Sequence, residues 1–217
     1  MGFPRGTAGR RIGYTLVELM MIVTIIGISV MAFAPGFSRA MADRRVSTAA
    51  RELIRIGRRA RSDTFGYLRA HLVWLSPTER RIQLLRAPTS SCLLTVWTPV
   101  SLECNSAGAN CLEDLSLSTW SAGGAGIRLY EETRAGADVK YETKGRALCF
   151  SPSGITYYGQ GTTLADATGT LSDTISDAIP GGFVYTMHAA QDEGAPTASS
   201  RVHRVLFPLG ASPRSLR

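Results

Sequence analysis

The chain has 217 residues, 44% of them hydrophobic and 19% charged, with four cysteines and a formal net charge of +7. Those values exclude a disordered chain, and the length suits one globular domain with one additional segment. The charge is uneven: residues 39–69 hold nine arginines against Asp43, Glu52 and Asp63, whereas residues 70–217 hold twelve basic and thirteen acidic residues, so the bulk of the chain does not have the charge of a nucleic-acid-binding domain.

Arg5, Arg10 and Arg11 precede Gly13, and from Leu16 to Phe37 the chain is almost wholly apolar. The interruptions are Glu18 and the small or weakly polar Thr24, Gly27, Ser29, Pro35 and Gly36. As a helix this stretch rises roughly 33 Å, enough to cross a bilayer core. A carboxylate is tolerable near the end of such a helix and costs roughly 2.5–3.5 kcal/mol nearer its centre, so Glu18 calls for a positive partner. Pro35 is expected to kink or loosen the helix. An ordinary secretory signal would end in a small-residue cleavage site. The only one available is Ala32-Phe33-Ala34, where the cut would sever the bond to Pro35. A plain signal anchor accounts for Arg5, Arg10 and Arg11 on the cytoplasmic side, but not for Gly13 followed by Tyr14-Thr15-Leu16-Val17-Glu18.

That order resembles the class III signal of type IV pilins and pseudopilins. The resemblance implies that prepilin peptidase cleaves between Gly13 and Tyr14 and N-methylates Tyr14, which stands where the family usually carries phenylalanine. It implies also that Glu18 meets the Tyr14 amino group of the next subunit in a filament. Pro35 and Gly27 fall where major pilins commonly carry a proline and a glycine.

Beyond the apolar segment the helical spacing continues. Val46, Ala49, Ala50, Leu53, Ile54, Gly57, Ala60, Thr64 and Leu68 form a stripe suited to packing on a sheet, and Arg44, Arg51, Arg55, Arg58 and Arg59 form the opposite, solvated face. After Gly66 the pattern changes to short runs rich in β-branched, aromatic and leucine residues, bounded by Pro, Gly, Ser and Asn. Strands are expected at 70–75, 81–86, 93–98, 127–130, 146–150, 155–158, 183–188 and 202–207. Ser151-Pro152-Ser153-Gly154 reads as a tight hairpin turn. Residues 99–126 and 159–182 read as long irregular loops, and 210–217 as an unstructured tail. One helix followed only by strands predicts an α+β fold, with the helix on the concave side of an antiparallel sheet.

Ala49-Ala50-Arg51-Glu52-Leu53, then Gly57-Arg58-Arg59-Ala60-Arg61-Ser62 and the strand at His71-Leu72-Val73, is similar to the GspH/FimT-type minor pseudopilins. Their helix reads small-x-x-Leu and then Ala-Arg-Ser, and Phe150-Ser151-Pro152-Ser153-Gly154 is similar to their Phe-x-Pro-x-Gly hairpin. This resemblance implies the pilin fold and a minor subunit at or near the tip of a type IV pilus or type II secretion pseudopilus. Its partners would be prepilin peptidase, other major and minor pilins or pseudopilins, and the inner membrane.

Cys92, Cys104, Cys111 and Cys149 all lie beyond the apolar segment and allow three pairings. Cys104 and Cys111 bracket a short Asn/Ser/Gly/Ala loop and are expected to pair, leaving Cys92 with Cys149 across neighbouring strands. Disulfides suit a domain exported to the periplasm. The alternative is a zinc site, but no Cys-x-x-Cys occurs and no histidine lies near the four.

No nucleophile elbow, phosphate loop or metal-ligand spacing is present. The paired acids Glu113-Asp114 and Glu131-Glu132 are adjacent and in a strand would face opposite ways. No catalysis, cofactor or metal is therefore expected. DNA is the alternative partner: some FimT-like proteins bind it through a C-terminal Gly-Arg-x-Arg segment, and Arg204, Arg214 and Arg217 are the candidate contacts here. Gly210-Ala211-Ser212-Pro213-Arg214 departs from that motif, because no arginine follows the glycine directly. The expected organisation is a leader at 1–13, a membrane and filament-core helix at 14–37, the remainder of the stem at 38–69, a periplasmic β-rich domain at 70–209 and a flexible basic tail at 210–217.

Overall fold

The computed structural model describes residues 15–95, 97, 110–118, 127–135, 138–173, 182–189, 202–208 and 213–216. It divides into two compact units, Met1–Met41 and Ala42–Arg217. Helix α1 (Leu16–Tyr67) supplies the described helical residues of the first unit and opens the second. The second unit continues with β1 (His71–Ser76), β2 (Arg81–Arg86), β3 (Cys111–Ser116), β4 (Ile127–Ala135), β5 (Asp138–Glu142), β6 (Gly145–Phe150) and β7 (Thr156–Gly161). A short helix α2 (Leu164–Gly169) follows, then β8 (Gly182–Ala189), β9 (His203–Pro208) and β10 (Arg214–Leu216). The fold is α+β. Among the described residues the strands form two antiparallel five-stranded sheets, in the orders β3-β2-β1-β6-β7 and β10-β9-β8-β4-β5.

The spacing of apolar residues explains how the layers meet. Val46, Ala49, Ala50, Leu53, Ile56 and Ala60 of α1 are buried in one cluster with residues of both sheets, among them Val73, Leu84 and Leu148 of the first and Leu129, Tyr185, Val205 and Phe207 of the second. Small side chains on the helix let backbones come close. At Gly57 an added Cβ would lie 2.8 Å from Cγ of Pro213, so only glycine admits the proline there. Strands β1 and β6 are buried along their whole length. Val73 and Leu75 join the cluster with α1, whereas Leu72, Trp74, Ala147 and Cys149 alternate into a second cluster on the other face of the sheet. That second face is covered by Leu164 and Ala167 of α2 and by Cys92 and Trp97. A Cβ on Gly159 of β7 would overlap the carbonyl of Ala167, so α2 lies flush on the strand. A capping box, Thr163 with Asp166, starts α2.

The 151–154 turn joins β6 to β7, with the Gly154 amide donating to the Ser151 carbonyl at 2.9 Å and Gly154 at φ +86°. Several elements differ from the sequence expectation. Residues 93–95 and 97 are not in a strand; the Ser91 and Thr95 hydroxyls bond the local backbone and turn the chain instead. Strand β3 lies inside the segment expected to be irregular, and β7 and α2 occupy 156–169, where a loop is expected from 159. Residues 214–216, expected to be an unstructured tail, pair with β9 as β10. Cys92 and Cys149 form a disulfide with Cα atoms 5.9 Å apart. It ties the 91–95 bend, rather than a neighbouring strand, to β6. In the chain-entropy picture, closing that 57-residue separation stabilises the fold by about 4 kcal/mol. Cys111 is disulfide-bonded as well, and Cys104 lies outside the described residues.

The end of α1 is fixed to the first sheet through a buried histidine. Leu68 takes a left-handed conformation (φ 53°) and stops the helix. His71 then places Nδ1 3.0 Å from the Arg69 carbonyl and 3.2 Å from the Thr64 hydroxyl, which itself donates to the Ala60 carbonyl at 2.7 Å. A carbonyl only accepts, so Nδ1 carries the proton, and Nε2 is buried with no partner among the described residues. Burial therefore lowers the His71 pKa below its ordinary 6.5, against the opposing pull of the Arg69 carbonyl. The stability this neutral ring contributes is complete above about pH 6.5 and is lost as pH falls through the depressed folded value. Between about pH 7.5 and 5.5 the urea midpoint should fall further for the natural chain than for His71→Asn. Equal falls would remove His71 from the account.

Candidate functional site: an apolar helix and the charged unit that follows it

From Thr15 to Phe33 every side chain is exposed, including Leu16, Met20, Ile25, Ile28, Met31 and Phe33. The stretch Leu16–Phe33 is long and apolar enough to cross a membrane. Its minor polar groups are satisfied locally: the Thr24 hydroxyl donates to the Met21 carbonyl and the Ser29 hydroxyl to the Ile25 carbonyl, each at 2.8 Å. Glu18 is the only charged residue in it. It lies in the first turn, and its amide donates to the Thr15 hydroxyl at 3.3 Å. Thr15-x-x-Glu18 is the spacing of a capping box, so the helix start is written into the same residues that carry the motif. The surface can bury itself in hydrocarbon or against other apolar helices, with one carboxylate at its beginning to be matched. Gly13 and Tyr14 lie outside the described residues. Pro35 lies within α1, but its side chain is outside the described set.

In the second unit the charges are sorted by alternation along strands. Glu113 of β3 meets Arg55 and Arg59 of α1, with its Oε2 3.1 Å from Arg59 Nη1, while Asp114 turns to Arg81 of β2. The arginine face of the helix is thus partly neutralised by a strand that sequence reasoning left as loop. Glu131 and Glu132 of β4 likewise face opposite ways. Glu131 is buried against Arg146 of β6, at 2.7 Å, and links the two sheets through the core. Burial raises its pKa, opposed by the Arg146 hydrogen bond and charge. Glu132 accepts from Arg204 Nε at 2.8 Å and from the Thr186 hydroxyl at 3.2 Å. Asp43 of α1 and His203 of β9 are 3.2 Å apart.

These contacts place the candidate DNA ligands. Arg204 is committed to a carboxylate that is 1% exposed. Arg214 is exposed on β10, and Arg217 lies outside the described residues. Arg204 and Arg214 lie on neighbouring strands, with Arg214 paired to Leu206 and Leu216 to Arg204. Among those residues no three His, Cys, Asp or Glu side chains are grouped to hold a metal ion. The acids Glu113, Asp114, Glu131 and Glu132 organise the unit, and their adjacency in pairs within alternating strands was the only sequence signal for them. Family models, curated proteins and solved structures give no match to the chain.

Arg204→Gln should leave Glu132 buried and short of its cationic partner, lowering stability by about 1–3 kcal/mol in urea unfolding. Arg214→Gln, on an exposed edge strand, should change it by less than about 0.5 kcal/mol. A harmless Arg204→Gln would show that Glu132 has another sufficient partner.

Proposed function

We propose that the chain is a pilin-like structural subunit, a minor pilin or pseudopilin of a type IV pilus or type II secretion pseudopilus. In this reading it is made with a leader that prepilin peptidase removes after Gly13. It is held in the inner membrane by Leu16–Phe33 with its β-rich unit in the periplasm, then transferred into a helical filament. The observation that carries the reading is Glu18, in the first turn of α1 and the one carboxylate of the apolar, exposed stretch Leu16–Phe33, five residues past Gly13. Severing the Gly13–Tyr14 bond releases an amino group on Tyr14. A neighbour's Glu18 would then neutralise that amino group as both enter a low-dielectric bundle, which makes helix association selective for processed chains.

Two further features support it. An apolar helix joined to a separately packed unit suits a subunit whose anchor exchanges lipid for protein while the rest stays folded. The Cys92–Cys149 disulfide suits an oxidising compartment. The DNA-uptake reading is not adopted, because Arg204 is occupied by the buried carboxylate of Glu132.

Co-expression with a prepilin peptidase followed by intact-mass measurement tests the processing step. The natural chain should lose residues 1–13, and Gly13→Leu should keep them; a normal mature mass for that variant would move the cleavage site elsewhere. Glu18→Ala should be processed normally but enter filaments at least about tenfold less, since the partner amine is left unpaired. Full incorporation of Glu18→Ala would rule out the pairing.

A further inference from the structure

α1 carries seven arginines in the second unit; Arg58 and Arg61, farther along the helix, have no carboxylate partner among the described residues, and the other five fall into two sets. Arg55 and Arg59 are neutralised by Glu113, with Glu52 and Asp63 adding to the network. Arg44, Arg45 and Arg51 have no carboxylate partner among the described residues. Arg51 reaches only the Ser47 hydroxyl, at 3.3 Å, and the nearest acids are engaged, Asp43 with His203 and Glu52 with Arg55. Arg44 and Arg51 are exposed and Arg45 is half-buried. Three unneutralised guanidinium groups within eight residues repel one another unless something outside the chain supplies negative charge.

Their place in the chain says what that is. Phe37, exposed and apolar, is seven residues before Arg44 and fourteen before Arg51, so whatever path the backbone takes, their Cα atoms are at most about 25 Å and about 50 Å from it. A chain anchored through Leu16–Phe33 therefore keeps these arginines tethered near a layer of phosphates, at high effective concentration. We propose that Arg44, Arg45 and Arg51 bind the anionic headgroups of the membrane that the apolar helix enters and hold the start of the β-rich unit on the lipid surface. The guanidinium fork matches a phosphate bidentately. Each juxtamembrane arginine should favour the surface-held state about fivefold, and the three together about a hundredfold at low ionic strength. Nucleic acid fits less well. No aromatic side chain interleaves residues 39–61, and the remainder of the chain is nearly neutral and would add no field.

The inference rests on the membrane-anchor part of the proposed function, and the two can be tested separately. Full-length chain is reconstituted into lipid nanodiscs, and co-elution with the discs reports the anchor. Energy transfer from the native tryptophans to dansyl-labelled headgroups reports how closely the β-rich unit is held. Transfer should be higher in discs rich in phosphatidylglycerol than in phosphatidylcholine discs. It should fall at about 0.5 M salt, where screening is within a few ångströms, and in Arg44→Gln/Arg45→Gln/Arg51→Gln, while the corresponding lysine triple keeps most of it. Equal transfer in both lipids, or an undiminished glutamine triple that still co-elutes, would overturn the headgroup contact while leaving the anchor standing. Duplex DNA that binds through the same three arginines on phosphatidylcholine discs, without lipid dependence, would reassign them to nucleic acid. Failure to co-elute at all would remove both the anchor and this inference.

Discussion

The second unit is organised around one requirement: a helix face made of Val46, Ala49, Ala50, Leu53, Ile56, Gly57 and Ala60 must be removed from water. Those side chains are mostly small, so the helix has little bulk of its own to fill space, and its neighbours must approach its backbone closely. Two sheets do so, and the residues they bring are the larger ones: leucines from the first sheet, and Tyr185 and Phe207 from the second. Burial on this scale is the dominant favourable contribution, at about 25 cal/mol per Å² of apolar surface. The charged contacts act as selectors of register rather than as the main source of stability. Glu113 fixes where β3 lies along the helix, and Glu131 with Arg146 fixes one sheet against the other.

The first unit obeys the opposite rule. From Leu16 to Phe33 its large apolar side chains are all turned outward, and the hydroxyls of Thr24 and Ser29 are satisfied by the backbone. Such a surface is stable where water is absent. Leu16–Phe33 is long and apolar enough to cross a membrane, and the arginines at 44–51 follow it in the chain.

Much of this architecture was readable from residue patterns, and what was not has physical causes. Strands β1, β2, β6, β8 and β9 are apolar or β-branched runs and announce themselves. β3 does not, because Cys111-Leu112-Glu113-Asp114-Leu115-Ser116 has two acids at its centre. They are acceptable in a strand only because Arg55, Arg59 and Arg81 arrive from elsewhere in the fold, which no local window contains. β10 is three residues long, and β5 has exposed Val139 and Lys140 at the other edge of the same sheet, where propensity counts for little. α2 is a milder case, since Thr163-x-x-Asp166 was a legible start signal for a helix too short to show a period. At the N-terminus, Glu18 stands out because it is costly in an apolar helix. For Arg204 the buried partner, Glu132, is far away in sequence and could be found only in three dimensions.

The seat of Pro213 on Gly57 joins two places that are made at very different times. Synthesis runs from the N-terminus, so the glycine face of α1 stays uncovered until position 213 has been made. Completion of the unit then waits on that proline, and a chain interrupted before it would present an open helix edge. A bulky fusion attached shortly after β10 would act on the same step, and its effect would be seen in the yield of folded protein.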